Sequence, residues 1–275
     1  MAMFINTNMG AENAVRLLDR VSRSQQISME RLTSGLRINK TADDAAGKAV
    51  VTRMDSQIRG TNMAIRNAQD GINVVQTIDG AAEEIVNMMQ RVRELSIQAA
   101  NDTYTDAQRL QMNEEVSQLR VEIDRVASTT KFNGINILNA DSQLSIHVGW
   151  ETGAENQIVI SLMDFNTVSI NMAATSVLIS TQSKALAAVD AIDRGLSKIA
   201  TMRARWGAVQ NRFEFTIANL QNVNENIKSS RSQILDADFA RESANLARTQ
   251  VLQQAGMSML SQANQQSQNV MQLLR

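Results

Sequence analysis

The chain contains no cysteine and no proline, one histidine, and only 3% aromatic residues. Without cysteine there is no disulfide, no zinc–thiolate centre and no thiol nucleophile, and cysteine usage carries no information on redox compartment. Without proline there is no X-Pro bond to isomerise over tens of seconds, and no helix is kinked by one. Hydrophobic residues reach 43% although aromatics are scarce, so the apolar content is Ala, Val, Ile, Leu and Met. Such side chains fill helix–helix seams more readily than they build an aromatic-rich globular core. Charge of one sign is also missing. The 27 basic and 28 acidic residues leave a net charge of −1, so there is no basic footprint for nucleic acid or an anionic membrane. No run of about 18 apolar residues occurs, which excludes membrane insertion by a helix. The opening MAMFINTNMGAENAV has neither a basic n-region nor a continuous apolar h-region, so no cleavable signal peptide is expected.

What is present is helical periodicity. Over 9–33, Ala11, Ala14, Leu18, Val21, Ser28 and Leu32 share one narrow stripe, interrupted by Gln25, while Leu17 and Ile27 lie off it. Gly35 offers a left-handed stop. Thr41 with Asp44 has capping-box spacing, and Asp43 and Asp44 would place negative charge in a first helical turn. From 43 to 100 the steps of three, four and seven continue through Met54, Ile65, Ala68, Ile72, Ile85, Val92 and Ala99. Unbroken, that helix would be roughly 85 Å long at 1.5 Å per residue. Gly60, Gly71 and Gly80 each cost it about 1 kcal/mol relative to Ala, which suggests close packing or a bend there.

AANDTYTDAQ, 99–108, breaks the pattern, and Thr105 or Asp106 can cap a further helix in which Leu110, Val116, Leu119, Ile123 and Val126 recur. Asn133-Gly134 marks a turn with positive φ. Alternation then replaces helical spacing: Leu144, Ile146 and Val148, and after a loop Ile158, Ile160 and Leu162, predict a β-hairpin over about 143–163. Residues 164–183 read as loop. Val189, Ile192, Leu196, Ile199, Trp206, Val209, Phe213, Ile217, Leu220, Val223 and Ile227 carry the clearest coiled-coil-like stripe. In a last helix, from about Asp236 to Leu274, the stripe is Leu246, Leu252, Ala255, Met259, Ala263, Val270 and Leu274, with QANQQSQN on a polar face. The predicted fold class is mainly α: a long-helix coiled-coil rod with a small β-hairpin region, its terminal helices paired.

Reaction chemistry finds little support. His147 alternates out of phase with Ile146 and Val148 and reads as a polar strand-face residue. No Ser-His-Asp set and no phosphate-binding glycine loop occur. Asp43 and Asp44 point about 100° apart on a helix and do not converge as paired acids. The expectation is a structural or interaction protein, not an enzyme, with no catalytic, cofactor-binding or metal residues.

SGLRINKTADDAAGKAV, 34–50, resembles the N-terminal signature of bacterial flagellin, the filament subunit of the flagellum. The resemblance continues in IRNAQDGINVVQTIDGAAEEI, QRVRELSIQAAN, EIDRVASTTKFNGINIL, GAVQNRFEFTIANL and SQANQQSQNVMQLLR, and covers the chain except about 140–184. Lys48 stands where an apolar residue is common and Trp206 where leucine is common, which puts local packing in question.

The resemblance implies three segments: 1–42, an inner helix and spoke linker; 43–235, an outer rod; 236–275, a second inner helix. Large variable outer domains have no room. Assembly contacts would come from Leu18, Val21, Leu32, Leu252, Met259, Val270 and Leu274, and the spoke would comprise Gly35, Arg37 and Asn39, with Asp43 and Asp44 starting the outer helix. The implied function is a self-assembling subunit of the extracellular filament used in swimming, its ends ordering on polymerisation. The implied partners are copies of itself, an export chaperone, a filament cap and hook-associated junction proteins. Toll-like receptor 5 is a further implied partner, through Arg91, Leu95 and Glu115. A hook–filament junction protein shares the terminal helices and is the alternative. A signalling coiled coil would lack the hairpin.

Overall fold

The computed structural model describes the backbone of residues 8–273 and the side chains as far as Gln265. Among the described residues five α-helices run in chain order: α1 (Met9–Ser34), α2 (Ala45–Ala99), α3 (Asp106–Thr129), α4 (Gln182–Leu235) and α5 (Phe239–Leu273). Between α3 and α4 lie two antiparallel hairpins, β1 (Lys131–Phe132) with β2 (Ile135–Asn136) and β3 (Gln143–His147) with β4 (Gln157–Ser161). The chain divides into two compact units. One spans Gln57–Asn224; the other takes the chain up to Ser56 and from Glu225 onward.

The Gln57–Asn224 unit holds the main core. The α2 stripe is buried at Ala68, Ile72, Val75, Ala82, Ile85, Met89, Val92 and Ala99, as the spacing predicts, and Ile78 is buried with them. It packs with buried residues of α4, among them Ile192, Ile199, Trp206 and Phe213. Arg93 pairs with Asp193 and Arg203 with Asp79, so α2 and α4 run antiparallel. Trp206 fits where leucine was expected because its indole has a polar partner: Nε1–H donates to the Ser161 carbonyl at 2.8 Å, and the ring tilts against Phe165 at 5.9 Å between centroids.

Three expectations need correction within this unit. Leu110 is exposed and Arg109 is buried in its place. The Arg109 guanidinium donates to the carbonyls of Ala99 and Asn101 and pairs with Asp106, so it ties off the end of α2. The 164–183 segment is irregular, as read, but it is also core: Phe165, Ile170, Met172, Val177 and Ile179 are buried. Helix α3 fastens it, since Asp124 accepts from the backbone and hydroxyl of Thr167 and Arg120 donates to the Met172 carbonyl. Val223 lies off the α4 stripe, and Asn224 is buried instead, donating to Asn62.

Local signals decide the ends. Thr105 caps α3 in a full capping box with Gln108. Asn133 and Gly134 both take positive φ in the β1–β2 turn. The β3–β4 register pairs Ile146 with Ile158 and His147 with Gln157, which leaves His147 on the strand as a paired residue.

Two glycines of α2 are predicted to respond oppositely to alanine. A Cβ at Gly71 would lie 2.6 Å from the buried Phe213 ring, whereas nothing stands within 4 Å of one at Gly80. Gly80→Ala should stabilise by up to about 1 kcal/mol through helix propensity. Gly71→Ala should destabilise by about 1–2 kcal/mol, because overpacking outweighs that gain. Thermal unfolding of the two variants checks the sign.

Candidate functional site

In the second unit α1 packs along α5, antiparallel. Ser28 lies opposite Glu242, Leu18 opposite Gly256, and the Asn8 amide donates to the Ala263 carbonyl. Among the described side chains of the two helices, the buried ones are Ser28, Glu242 and Thr249, all polar. Glu242 is the centre of this seam: Ser28 Oγ and an Arg31 guanidinium nitrogen each donate to its carboxylate at 2.9 Å. Burial pushes the Glu242 carboxyl up. The hydrogen bonds from Arg31, Ser28 and Asn245, with the Arg31 charge, outweigh that and hold it below the usual glutamate value.

The α1 stripe is where the spacing puts it, with Ala11, Ala14, Leu18, Val21, Gln25, Ser28 and Leu32 turned toward α5 and at least partly covered. The α5 stripe is not. Leu246 and Ala263 are partly covered, but Leu252, Ala255 and Met259 are exposed. The seam instead follows Glu242, Thr249, Gly256 and Ala263, a seven-residue repeat of polar and small residues that a search for apolar periodicity passes over. Apolar side chains stand outside it: Val15, Leu17 and Ile27 on α1, and Phe239, Val251 and Leu252 on α5. Val270 lies in the helical backbone but beyond the described side chains, and Leu274 lies outside the described residues.

The 34–44 linker belongs to the same unit. Gly35 ends α1 in the left-handed region at φ 72°, and its N–H donates to the Arg31 carbonyl. Leu36 and Asp236 form an antiparallel bridge, flanked by Arg37 N–H to the Leu235 carbonyl at 2.7 Å and Ala237 N–H to the Gly35 carbonyl at 2.9 Å. The Arg37 guanidinium donates to the Ile234 carbonyl at the end of α4 and lies 3.8 Å from Asp44. Ile38 is buried with Val51 and Leu235. The helix start differs from the expectation. Thr41 sits in a turn, and Asp44 is the capping side chain, accepting from Gly47 N–H at 2.8 Å. Asp43 precedes the helix and closes the turn, accepting from Lys40 and Asn39 N–H; those contacts hold its carboxyl below the usual range. The Asn39 amide donates to Ser34 Oγ.

Within the Gln57–Asn224 unit, Arg91 and Glu115 meet across α2 and α3 at 2.9 Å, both exposed, with Glu94 as a second acceptor for Arg91. The hydrogen bond to Glu115 leads in raising the pKa of the Arg91 guanidinium. Leu95 does not join them on the surface; it is 2% exposed and lies in the core beside Val92. Among the described residues no group of three or more histidine, cysteine, aspartate or glutamate side chains is placed to hold a metal ion.

The chain matches known proteins along most of its length. Residues 5–143 match the bacterial flagellin N-terminal helical region and 189–274 the bacterial flagellin C-terminal helical region. A flagellin of Halalkalibacterium halodurans is 41% identical over 274 residues, covering 99% of this chain and all of that one. The chain belongs to the bacterial flagellin family. A flagellar filament 33 kDa core protein of Treponema phagedenis is 40% identical over 286 residues, with 99% of this chain and all of that protein covered. A putative flagellar hook-associated protein from Vibrio parahaemolyticus shares the fold at a TM-score of 0.59 and 12% identity, covering 70% of this chain and 100% of that one. Only residues 144–188 separate the two matched regions, so no large variable domain is inserted there. Flagellins are structural proteins, not enzymes. No helix among the described residues is long and apolar enough to cross a membrane.

The Glu242 carboxylate makes the α1·α5 pair sensitive to acid. A carboxyl held low in the folded form stabilises it above the ordinary glutamate value of 4.5, and the contribution is lost as pH falls through the lower folded value. Thermal unfolding followed by helical ellipticity should show a terminal-helix transition that weakens as pH falls below the ordinary glutamate value. Glu242→Gln should weaken it by about 1–3 kcal/mol at pH 7 and remove most of the pH step.

Proposed function

We propose that the chain is a self-assembling structural subunit of an extracellular flagellar filament used for swimming, and that its terminal helices gain their full order from neighbouring copies. The observation that carries this is the α1·α5 seam, whose buried side chains are polar and whose leucines are only half covered, while Val15, Leu17, Ile27, Val251 and Leu252 face outward. Ordering the 26 residues of α1 and 35 of α5 costs about 1–2 kcal/mol per residue in backbone entropy. Half-covered leucines and valines offset only part of that cost. A neighbouring copy that covers Leu17, Ile27, Val251 and Leu252 supplies about 25 cal/mol per Å² of apolar area removed from water. Contacts of the head-to-tail kind that do not close into a ring build a helical polymer.

On this reading residues 1–42 and 236–275 form an inner layer and 43–235 an outer one. Leu18, Val21 and Leu32 serve within the seam, while Leu252 and Met259 serve between copies. Gly35, Arg37, Asn39, Asp43 and Asp44 fix the connection. An export chaperone, a filament cap and hook-associated junction proteins are the partners that family membership suggests.

A second reading concerns recognition by Toll-like receptor 5. The exposed Arg91–Glu115 pair favours it, with Leu95 acting from the core to set the position of Arg91 and not as a contact. Arg91→Ala should reduce receptor signalling about tenfold, the loss of one charge-assisted contact.

Seeded elongation tests the main proposal. Val251→Glu with Leu252→Glu should slow elongation from filament seeds by about a hundredfold, since charge is placed where apolar area must be covered. The melting of the Gln57–Asn224 unit should not change. Normal elongation by the variant would overturn the proposal. Failure of the unaltered chain to elongate from seeds would favour the junction-protein alternative.

A further inference from the structure

The chain carries 15 methionines and no cysteine, so thioether sulfur is its only oxidisable sulfur. The placement of these methionines is uneven. In the Gln57–Asn224 unit Met89, Met163, Met172 and Met202 are buried, while Met63 is 48% exposed on α2. On α1 and α5, Met9, Met29, Met257 and Met259 are 52%, 49%, 63% and 61% exposed. Met29 adjoins the buried Ser28. On α5, Gly256 faces Leu18, and a Cβ there would lie 2.7 Å from a Leu18 methyl. At about 100° per residue, Met257 and Met259 therefore fall on opposite flanks of that contact line.

We propose that these four methionines form an oxidation-sensitive switch on assembly, with hydrogen peroxide as the oxidant. This rests on the reading of the outward faces of α1 and α5 as contacts between copies. The sulfur lone pair attacks one peroxide oxygen, an S–O bond forms as the O–O bond breaks, and the departing oxygen leaves as water after taking the remaining proton. Sulfur is oxidised by two electrons and peroxide is reduced. The sulfoxide is a polar acceptor where an apolar thioether stood. A neighbouring copy must then cover it without supplying a donor, so the oxidised chain joins the polymer poorly. Within the polymer the same sulfurs are covered and resist the oxidant. The change is undone by methionine sulfoxide reduction, which makes it a reversible control on free subunits.

The test treats the free full-length chain and preformed filaments with hydrogen peroxide in parallel. Sulfoxide at each methionine is read by peptide mass spectrometry, and elongation from unoxidised seeds by sedimentation. The free chain should acquire oxygen at Met9, Met29, Met257 and Met259 ahead of Met89 and Met172, and its elongation should fall about tenfold. The filament should be oxidised at those four positions at least about fivefold more slowly, as covered sulfur is less accessible. A mixture of the two methionine sulfoxide reductases should restore elongation. The chain with Met9, Met29, Met257 and Met259 replaced by leucine should elongate alike before and after peroxide; Met257→Leu with Met259→Leu alone should retain part of that resistance. Full oxidation at the four positions with undiminished elongation overturns the switch while leaving the assembly reading intact. Equal sensitivity of the leucine variant, or equal oxidation of filament and free chain, also overturns it. If the untreated chain fails to elongate, the assembly reading falls and the switch with it.

Discussion

A pair of helices that stands alone places apolar side chains in its seam, and the α1·α5 pair places Ser28, Glu242 and Thr249 there. Much else in the chain follows from that choice. A buried carboxylate is tolerated only when it is paired and hydrogen-bonded, and Glu242 receives Ser28 and Arg31 at 2.9 Å each. Such a contact sets register better than it adds stability, because sliding the helices leaves the carboxylate buried without donors. Leu18, Val21 and Leu32 are only half covered beside it, and Val15, Leu17, Ile27, Val251 and Leu252 face outward. The other unit makes the opposite choice, with Ile78, Ile85, Met89, Trp206 and Phe213 closed into one core. One polypeptide thus contains a part that completes itself and a part whose apolar surface is left to be completed.

The linker between α1 and α2 shows how the unfinished pair is held to the rest of its unit. It does not rely on its own length. Its backbone adds an antiparallel bridge to the chain passing from α4 to α5, and Arg37 donates to the last carbonyls of α4. Ile38 anchors the crossing by burial against Val51 and Leu235. The polar run in this stretch therefore has two uses, capping through Asp44 and turn closure through Asp43, and neither is catalytic.

The sequence disclosed most of the fold where one residue's chemistry decides the outcome locally. Gly35, the Thr105 cap and Asn133-Gly134 each specify a backbone conformation within four residues, and each is present where it was read, Thr105 being the one of the two candidate caps that is used. Long apolar stripes were equally legible, since α2 repeats one pattern over many turns. Sequence reading failed where burial depends on a distant partner. Arg109 is buried because the end of α2 offers it free carbonyls, and nothing in the spacing of Leu110 and Val116 discloses that. Phe165 and Ile170 lie in a polar-looking segment that is pulled into the core by Asp124 and Arg120 of α3. On α5, Leu252 and Met259 were read into one apolar stripe with Leu246 and Ala263, because apolar periodicity cannot distinguish a face that meets its own chain from one left exposed. The family signature was legible in short blocks, but the blocks gave no geometry, and Leu95 was placed beside Arg91 on the surface although it packs inward.

The charge balance bears on the same constraint. A polymer of one chain brings identical surfaces within a Debye length of each other, about 8–10 Å at physiological ionic strength. Any large net charge would then repel with every added copy. Here 27 basic residues face 28 acidic ones, and several are already paired within the chain, as in Arg93–Asp193, Arg203–Asp79 and Arg231–Asp55. Exposed pairs of this kind add little stability one by one. Their effect is to leave close to no long-range field, so that short-range apolar contact between copies is not opposed. A weak seam, outward apolar residues and near-neutral charge are separate features of the sequence, and each removes a different obstacle to packing the chain against itself.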